Sequence, residues 1–416
     1  MKETHSLEFK RDITNTFLKT VSAYANYDGG SVIFGVDDQG TVVGLADPES
    51  ACLDIENKIN DSISPQPCFK LNVNKREKTI ELSVSAGLNK PYLYIGKAYR
   101  RNDTATIPVD PLELSRLVLQ GKNINFESLP ASNQELTFGV LADKAKDEIG
   151  IHDLSMDVLR SLGLYSKYDG YNHAAELLSD KNDFPGIDMA CFGESISIIK
   201  KRATFSHESV LRQLDEAMQI YRDTYQYEKI EGMRREKISL IPEEAFREAL
   251  VNALIHRTWD ISIQIRVLLF PDRVEISSPG GLAGGISKEE FLRGNISFLR
   301  NPILGNVFYR LHLVEILGTG ILRIRSAYEN SVKQPLFEFH ENSITVILPV
   351  NTAPDLSEDE QRVYKALSRV FPQSISEIKE KIPFGRSKIT ALLQAMGKKN
   401  YVVITGKGRG TKYKLL

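Results

Sequence analysis

Apolar residues set the first element. Ile13, Phe17, Leu18, Val21, Tyr24 and Ala25 recur at helical spacing, which predicts a helix over residues 12–25. Asn26-Tyr27-Asp28-Gly29-Gly30 breaks it, residues 31–36 read as a short strand, and Asp37-Asp38-Gln39-Gly40 has the chemistry of a turn into a partner strand over 41–45. A second helix is predicted near 49–63. Residues 79–84 alternate cleanly as a strand, and 91–95 follow as another. After the linker-like residues 128–132, short helices are expected at 154–164 and 174–178, strands at 189–192 and 196–199, and a long helix over 207–227. Val210, Leu214, Met218 and Tyr221 form the apolar side of that long helix.

The most informative helix opens at Pro242-Glu243-Glu244, proline and two acids being a good helix start. Phe246, Ala249, Leu250, Ala253 and Leu254 share one broad apolar face, which Val251 and Ile255 widen. Glu248, Asn252 and His256 follow one another at i, i+4 and i+8 and make a narrow polar strip on it. Buried polar groups need partners, so the strip is either the edge of a ligand site or an internal hydrogen-bond row. Residues 261–267 and 343–347 alternate as half-buried strands, and 351–354 close the unit as a linker.

The last segment reads as three helices and a hairpin. The first, over 357–370, starts with the capping box Ser357-x-x-Glu360; the second covers 375–382; the third, over 387–398, follows the turn Phe384-Gly385. Residues 401–414 have the hydrophobicity and glycines of a hairpin, so residues 355–416 read as a winged helix-turn-helix.

Composition changes this picture little. A length of 416 residues suits two to four domains, and 42% apolar with 26% charged residues is ordinary globular usage. Cys52, Cys68 and Cys191 lack metal-site spacing and read as reduced thiols. No apolar run reaches membrane length and Met1-Lys2-Glu3-Thr4-His5 is no signal peptide, so no membrane partner and a cytoplasmic location are expected. Charge matters more. The net charge is −1, yet from Arg386 to Leu416 there are eight Lys and Arg and no acid. Such asymmetry marks a phosphate-binding surface, with Arg386, Ser387, Lys388 and Thr390 opening the recognition helix and Lys407 and Arg409 at the wing tip.

Two resemblances refine the chemistry. Glu248-x-x-x-Asn252-Ala253-x-x-His256 resembles the first nucleotide box of the GHKL ATPases, whose Bergerat fold is shared by gyrase, histidine kinases and mismatch-repair ATPases. Val274 to Gly281, ending in Gly280 and Gly281, looks like the second box, and Leu317-Gly318-Thr319-Gly320-Ile321 like the third, with Arg300-Asn301-Pro302 between them. The resemblance implies a Bergerat-like α/β sandwich over 236–352. It also implies ATP and Mg²⁺ as cofactors, Glu248 as the residue that positions water in a weak ATPase, and Asn252 as the metal holder. His256 and the box glycines would surround the nucleotide. One departure stands out: where the second box has an Asp that reads adenine, this chain has Ser277-Ser278-Pro279.

Residues 1–125 resemble the Schlafen AlbA-type domain. The match runs through Glu8-Phe9-Lys10, Ala23-Tyr24-Ala25-Asn26, Gly29-Gly30, Ile33 to Asp38 and Tyr99-Arg100-Arg101-Asn102. It implies nucleic-acid binding, to DNA or RNA, with Arg100 and Arg101 as phosphate contacts. In RNA-cutting members a carboxylate triad holds a metal, and Glu3, Glu8 and Asp37 are the matching candidates here. The whole order (AlbA-type domain, mixed α/β connector over 126–235, Bergerat-like module, winged helix) is an α+β multidomain chain. It resembles a bacterial and archaeal family described as transcriptional regulators, which implies a nucleotide-responsive, DNA-binding homo-oligomer. A metal-dependent defence nuclease and an inactive interaction scaffold are the alternatives.

Overall fold

A computed structural model describes residues 2–415 except 232–233, 283–285, 295–298, 316–317, 330, 332, 352–355, 369–370, 400 and 407; the side chains of Glu231, Arg234 and Arg409 are likewise left undescribed. Two compact units result, one essentially Met1–Ala131 and the other Ser132–Leu282 with Ser287–Leu416.

In the first unit, β1 (Leu7–Lys10), α1 (Phe17–Asn26), β2 (Gly30–Phe34), α2 (Pro48–Ser62), β3 (Phe69–Asn74) and β4 (Thr79–Val84) lead to the hairpin β5 (Tyr99–Asn102) and β6 (Ala105–Pro108) and to α3 (Pro111–Gly121). β1 runs parallel to β2, β2 antiparallel to β4, and β4 antiparallel to β3, which gives the sheet order β1-β2-β4-β3. The apolar positions of α1 that carry the helical period are buried, and Phe17 meets Phe34 of β2 edge-on at 5.2 Å. Asp47 and Asp110 cap α2 and α3 just before Pro48 and Pro111, as the preference for proline in the first turn requires. Residues 41–45 do not form the expected partner strand. Only a single bridge, Val36 to Val42, survives there, because β1 and β4 already flank β2 on both sides.

Helix α1 is buried almost all round, so its polar residues are paired inward. Asn26 donates from Nδ2 to the Tyr92 carbonyl at 2.9 Å and accepts the Tyr92 N–H at 2.8 Å, while Ser22 Oγ donates to that same carbonyl at 2.7 Å.

In the second unit, after three short helices, come β7 (Ile187–Phe192), β8 (Ile199–Phe205), α4 (Val210–Tyr225), the hairpin β9 (Gln226–Glu231) and β10 (Arg234–Ser239), and α5 (Glu243–Ile255). Then follow β11 (Ile265–Leu269), β12 (Arg273–Pro279), α6 (Pro302–Arg310), α7 (Gly320–Ala327), β13 (Leu336–His340) and β14 (Ser343–Pro349). The described strands form a six-stranded sheet in the order β8-β7-β11-β12-β14-β13. β7, from the segment expected to be a connector, lies parallel to β11, so this segment completes the central sheet of the unit. Short strands with no hydrophobic excess over a helix of the same length gave no sign of that pairing.

The chain ends in α8 (Glu358–Ala366), α9 (Ile375–Lys379), α10 (Arg386–Lys398) and the hairpin β15 (Val402–Thr405) and β16 (Lys412–Leu415). Both bonds of the Ser357–Glu360 capping box are present, and a second box, Ser374–Glu377, opens α9. Val363, Ile378, Ile389, Leu393 and Met396 pack with Val402, Tyr413 and Leu415 in a core of their own.

Replacing Asn26 by Ala leaves the buried Tyr92 N–H without its partner and removes one of two donors to its carbonyl. Asn26→Ala should cost about 2 kcal/mol, read as a lower urea midpoint for the first unit, whereas Asn60→Ala, at an exposed position of α2, should not lower the midpoint.

Candidate functional site

Helix α5 organises the second unit. Its Phe246 ring stacks on Tyr221 of α4 with centroids 4.4 Å apart, and its remaining apolar residues are sealed in the core. Within this apolar setting Glu248 is only 5% exposed, while Asn252 and His256 are half-buried. Asn252 Nδ2 lies 3.5 Å from Glu248 Oε1. Burial pushes the Glu248 carboxyl up from its usual range, and the nearby Arg323 and Arg247 guanidiniums pull it partly back.

The third glycine turn closes directly over this pair. A Cβ on Gly320, the first residue of α7, would stand 2.3 Å from Glu248 Oε1 and 2.9 Å from Asn252 Nδ2. Only glycine permits that approach. Gly318, two residues earlier, takes φ +69°, so the backbone turns through the left-handed region just before α7. Arg323 and Arg247 were not singled out by sequence pattern. A basic residue in the first turn after a glycine-rich box was the available signal for Arg323.

The second glycine turn is tied to the other end of α5. Arg300 donates from Nη1 to the His256 carbonyl at 3.1 Å and to Thr258 Oγ1 at 2.6 Å, and from Nη2 to the Gly281 carbonyl at 2.7 Å. Gly280, at φ +108°, makes room for it, since a Cβ there would fall 2.0 Å from Arg300 Nη1. Asn301 completes the tie, donating to the Ile255 and Arg257 carbonyls at 2.8 Å each. His256 is pushed down to about 4, first by burial and then by Arg300, so its ring is neutral at neutral pH.

The three boxes thus meet on one helix, but their ends differ. Glu248 and Asn252 form a carboxylate–amide pair under the glycine turn of Gly318 and Gly320, the donor types of a magnesium–phosphate site, here closed over by Gly320 packed against both side chains. The base end does not fit a purine read by a carboxylate. Ser278 Oγ is spent on the Ala253 carbonyl at 2.9 Å, Ser277 Oγ lies 2.9 Å from Thr345 Oγ1, and the Arg300 guanidinium fills the hollow that Gly280 leaves.

In the first unit the expected metal triad is not assembled. Buried Glu8 accepts Thr20 Oγ1 at 2.8 Å, pairs with Lys10 at 2.7 Å and binds Arg101. Glu3 accepts the Phe9 N–H at 2.9 Å, and Asp37 accepts the N–H groups of Gln39 and Thr41 at 3.0 and 2.8 Å, as a turn aspartate does. Among the described residues no three His, Cys, Asp or Glu side chains gather closely enough to hold a metal. Arg101, expected at phosphate, is instead buried. It donates to Glu8, to Thr106 Oγ1 at 2.9 Å and to the Thr4 carbonyl at 3.2 Å, so its guanidinium is spent inside the unit. Arg100 is about one-third exposed and faces Glu113 at 3.5 Å.

At the C-terminus Arg386, Ser387 and Lys388 are exposed at the start of α10. Lys388 pairs with Asp359 at 2.6 Å and lies over the Phe384 ring at 4.2 Å, which fixes its ammonium beside the helix start. Lys407 lies outside the described residues, as does the Arg409 side chain.

Comparison with known proteins agrees with this division. Residues 3–110 match the family described as Schlafen, AlbA_2, and residues 263–348 match HATPase_c_4, described as "Putative ATP-dependent DNA helicase recG C-terminal". The DIP2311 protein of Corynebacterium diphtheriae has a similar fold, with a TM-score of 0.51 and 19% identity over 99% of this chain and 92% of that one. The N-terminal domain of a RecG-related protein from Nitrosomonas europaea is 25% identical over 25% of this chain and 83% of that one, with a TM-score of 0.20. No curated protein sequence matches the chain. Among the described residues no helix is long and apolar enough to cross a membrane.

Two outcomes follow from the packed carboxylate. Gly320→Ala should destabilise the second unit by about 2 kcal/mol or more, because its methyl has no free space against Glu248 and Asn252, read as a lower melting temperature. A carboxyl whose pKa rises on folding favours the folded state only below its unfolded value and loses that contribution as pH rises through the folded value. Glu248→Gln should therefore melt above wild type at pH 7, and the gain should close as pH falls below the ordinary value of 4.5.

Proposed function

We propose that the chain is a DNA-binding regulator whose C-terminal segment, residues 355–416, acts as a winged helix. The observation that carries this reading is the exposed cationic start of α10 within a segment that has eight basic residues and no acid from Arg386 onward. Three helices precede the β15–β16 hairpin. Gln373, between α8 and α9, exchanges backbone bonds with Tyr413 at 2.8 Å in each direction and so adds a single bridge beside the hairpin, where a winged helix has its third strand. In this arrangement α10 enters the major groove. Arg386 and Ser387 meet base edges or phosphate, and Lys388 meets phosphate once its pairing with Asp359 opens. The AlbA-type unit contributes a second nucleic-acid surface, in line with the family that residues 3–110 match. Arg100 is its candidate contact and Arg101 is not.

The Bergerat-like module would respond to nucleotide through its phosphate end. Glu248, Asn252, Gly318 and Gly320 are the residues to hold a magnesium–phosphate group, with Arg323 and Arg247 adding positive charge. Without a carboxylate at the base end, this reading gives ATP and GTP similar standing. Binding would regulate DNA affinity only if the two states of the protein differ in nucleotide affinity.

Two measurements test the reading. In Mg²⁺, ATP and GTP should raise the melting temperature by similar amounts and Asn252→Ala should abolish both shifts; no shift with either nucleotide removes the phosphate site from the proposal. For DNA, the logarithm of affinity should fall linearly with the logarithm of salt, and Arg386→Ala with Lys388→Ala should flatten the slope by about two counterions. An unchanged slope places the DNA contact elsewhere.

A further inference from the structure

Helix α10 turns one side to its own core and the other to water. Ile389, Leu393 and Met396 are fully buried against the rest of the C-terminal segment. Ser387, Ala391, Gln394 and Lys398 fall within about 60° of arc on the far side of the helix, and all four are exposed. Arg386 and Lys388 stand about a quarter turn or more away, one on each side of that strip. The cations of the helix start thus flank a strip that is uncharged until its last residue, Lys398.

The polar side chains of α10 are not equally free. Thr390 Oγ1 donates to the Arg386 carbonyl at 2.9 Å, and Lys388 is held by Asp359 and the Phe384 ring. Gln394 carries the only side-chain amide of the helix, and that amide makes no hydrogen bond among the described residues. Exposure alone gives a glutamine no task, since water satisfies it. Its place between two rows of cations does. The major groove of DNA has the matching cross-section, with phosphates along both walls and base edges on the floor.

We propose, on the winged-helix reading above, that Gln394 is the residue by which α10 reads sequence. It takes the N6 and N7 edge of an adenine, while the Ala391 methyl packs on the thymine methyl of a neighbouring pair. The glutamine amide sets one donor beside one acceptor, the complement of the N7 acceptor and N6 donor that adenine shows in the major groove. Gln394 lies three residues beyond Ala391, about 4.5 Å along the axis, which is close to the ~3.4 Å rise between stacked pairs. A helix that follows the groove therefore sets the two residues on successive pairs. Ala391 has no polar group, so the thymine methyl is the group on the groove floor that suits it. Lys398, one turn beyond Gln394, meets phosphate and is indifferent to sequence.

Selection of binding sites from a library of randomised duplex DNA, with the full chain at one fixed salt concentration, tests this. Wild type should enrich sites that share two neighbouring A·T pairs. Gln394→Arg should convert one of the two to G·C and leave the other, because arginine reads the O6 and N7 edge of guanine. A changed selection of this kind also shows that the variant is folded. Gln394→Ala should bind the wild-type site about ten-fold more weakly and an unrelated duplex as well as wild type does. Lys398→Ala should weaken both duplexes alike. If wild type binds DNA but enriches no shared pair, if Gln394→Arg selects the same bases as wild type, or if Gln394→Ala weakens both duplexes equally, Gln394 is not the reader, although the DNA-binding reading stands. If wild type binds no duplex at all, that reading falls and this assignment falls with it.

Discussion

A carboxylate sealed on an apolar helix is the constraint from which the second unit is built. Glu248 must have α5 apolar around it to be buried, and it must have a backbone brought close enough to answer its charge. Gly320 provides the closeness, with a hydrogen where any other residue would put a carbon 2.3 Å from Oε1. Arg323 and Arg247 supply positive charge without closing on the carboxylate as a direct ion pair, so the group stays elevated in pKa and is not locked. The arrangement costs stability that a purely structural pair would not.

The first unit shows the opposite solution to a similar problem. Glu8 is also buried beside a short motif of charged residues, but Arg101 and Lys10 neutralise it and Thr20 completes its hydrogen bonds. With both oxygens engaged, the carboxylate is part of the frame that joins β1, α1 and the β5–β6 hairpin. A short motif of charged residues is here closed into an ion pair and becomes part of the frame.

Arg300 and Asn301 tie the second glycine turn to the end of α5. Together they satisfy the carbonyls at the end of α5 and the turn at Gly281, carbonyls that a helix end otherwise leaves to water or a cap. The guanidinium then occupies the hollow beside Gly280. Ser278, turned inward to the Ala253 carbonyl, adds to the same tie.

Local sequence determined a good deal by itself. Helix periods placed α1, α4 and α5, proline with two acids marked the start of α5, a capping box that of α8, and glycines marked the turns at Gly280 and Gly320. The polar strip on α5 was legible because a period of 3.6 aligns Glu248, Asn252 and His256 whatever surrounds them. Tertiary structure alone decided the rest. Whether Arg101 faced phosphate or Glu8, whether residues 41–45 could find a free strand edge, and whether β7 joined the sheet of β11 all depend on segments far apart in the chain. Sequence periodicity records which face a side chain lies on. It carries no information about which distant partner arrives there first, and for a buried charge that partner decides whether the residue supports the fold or meets a ligand.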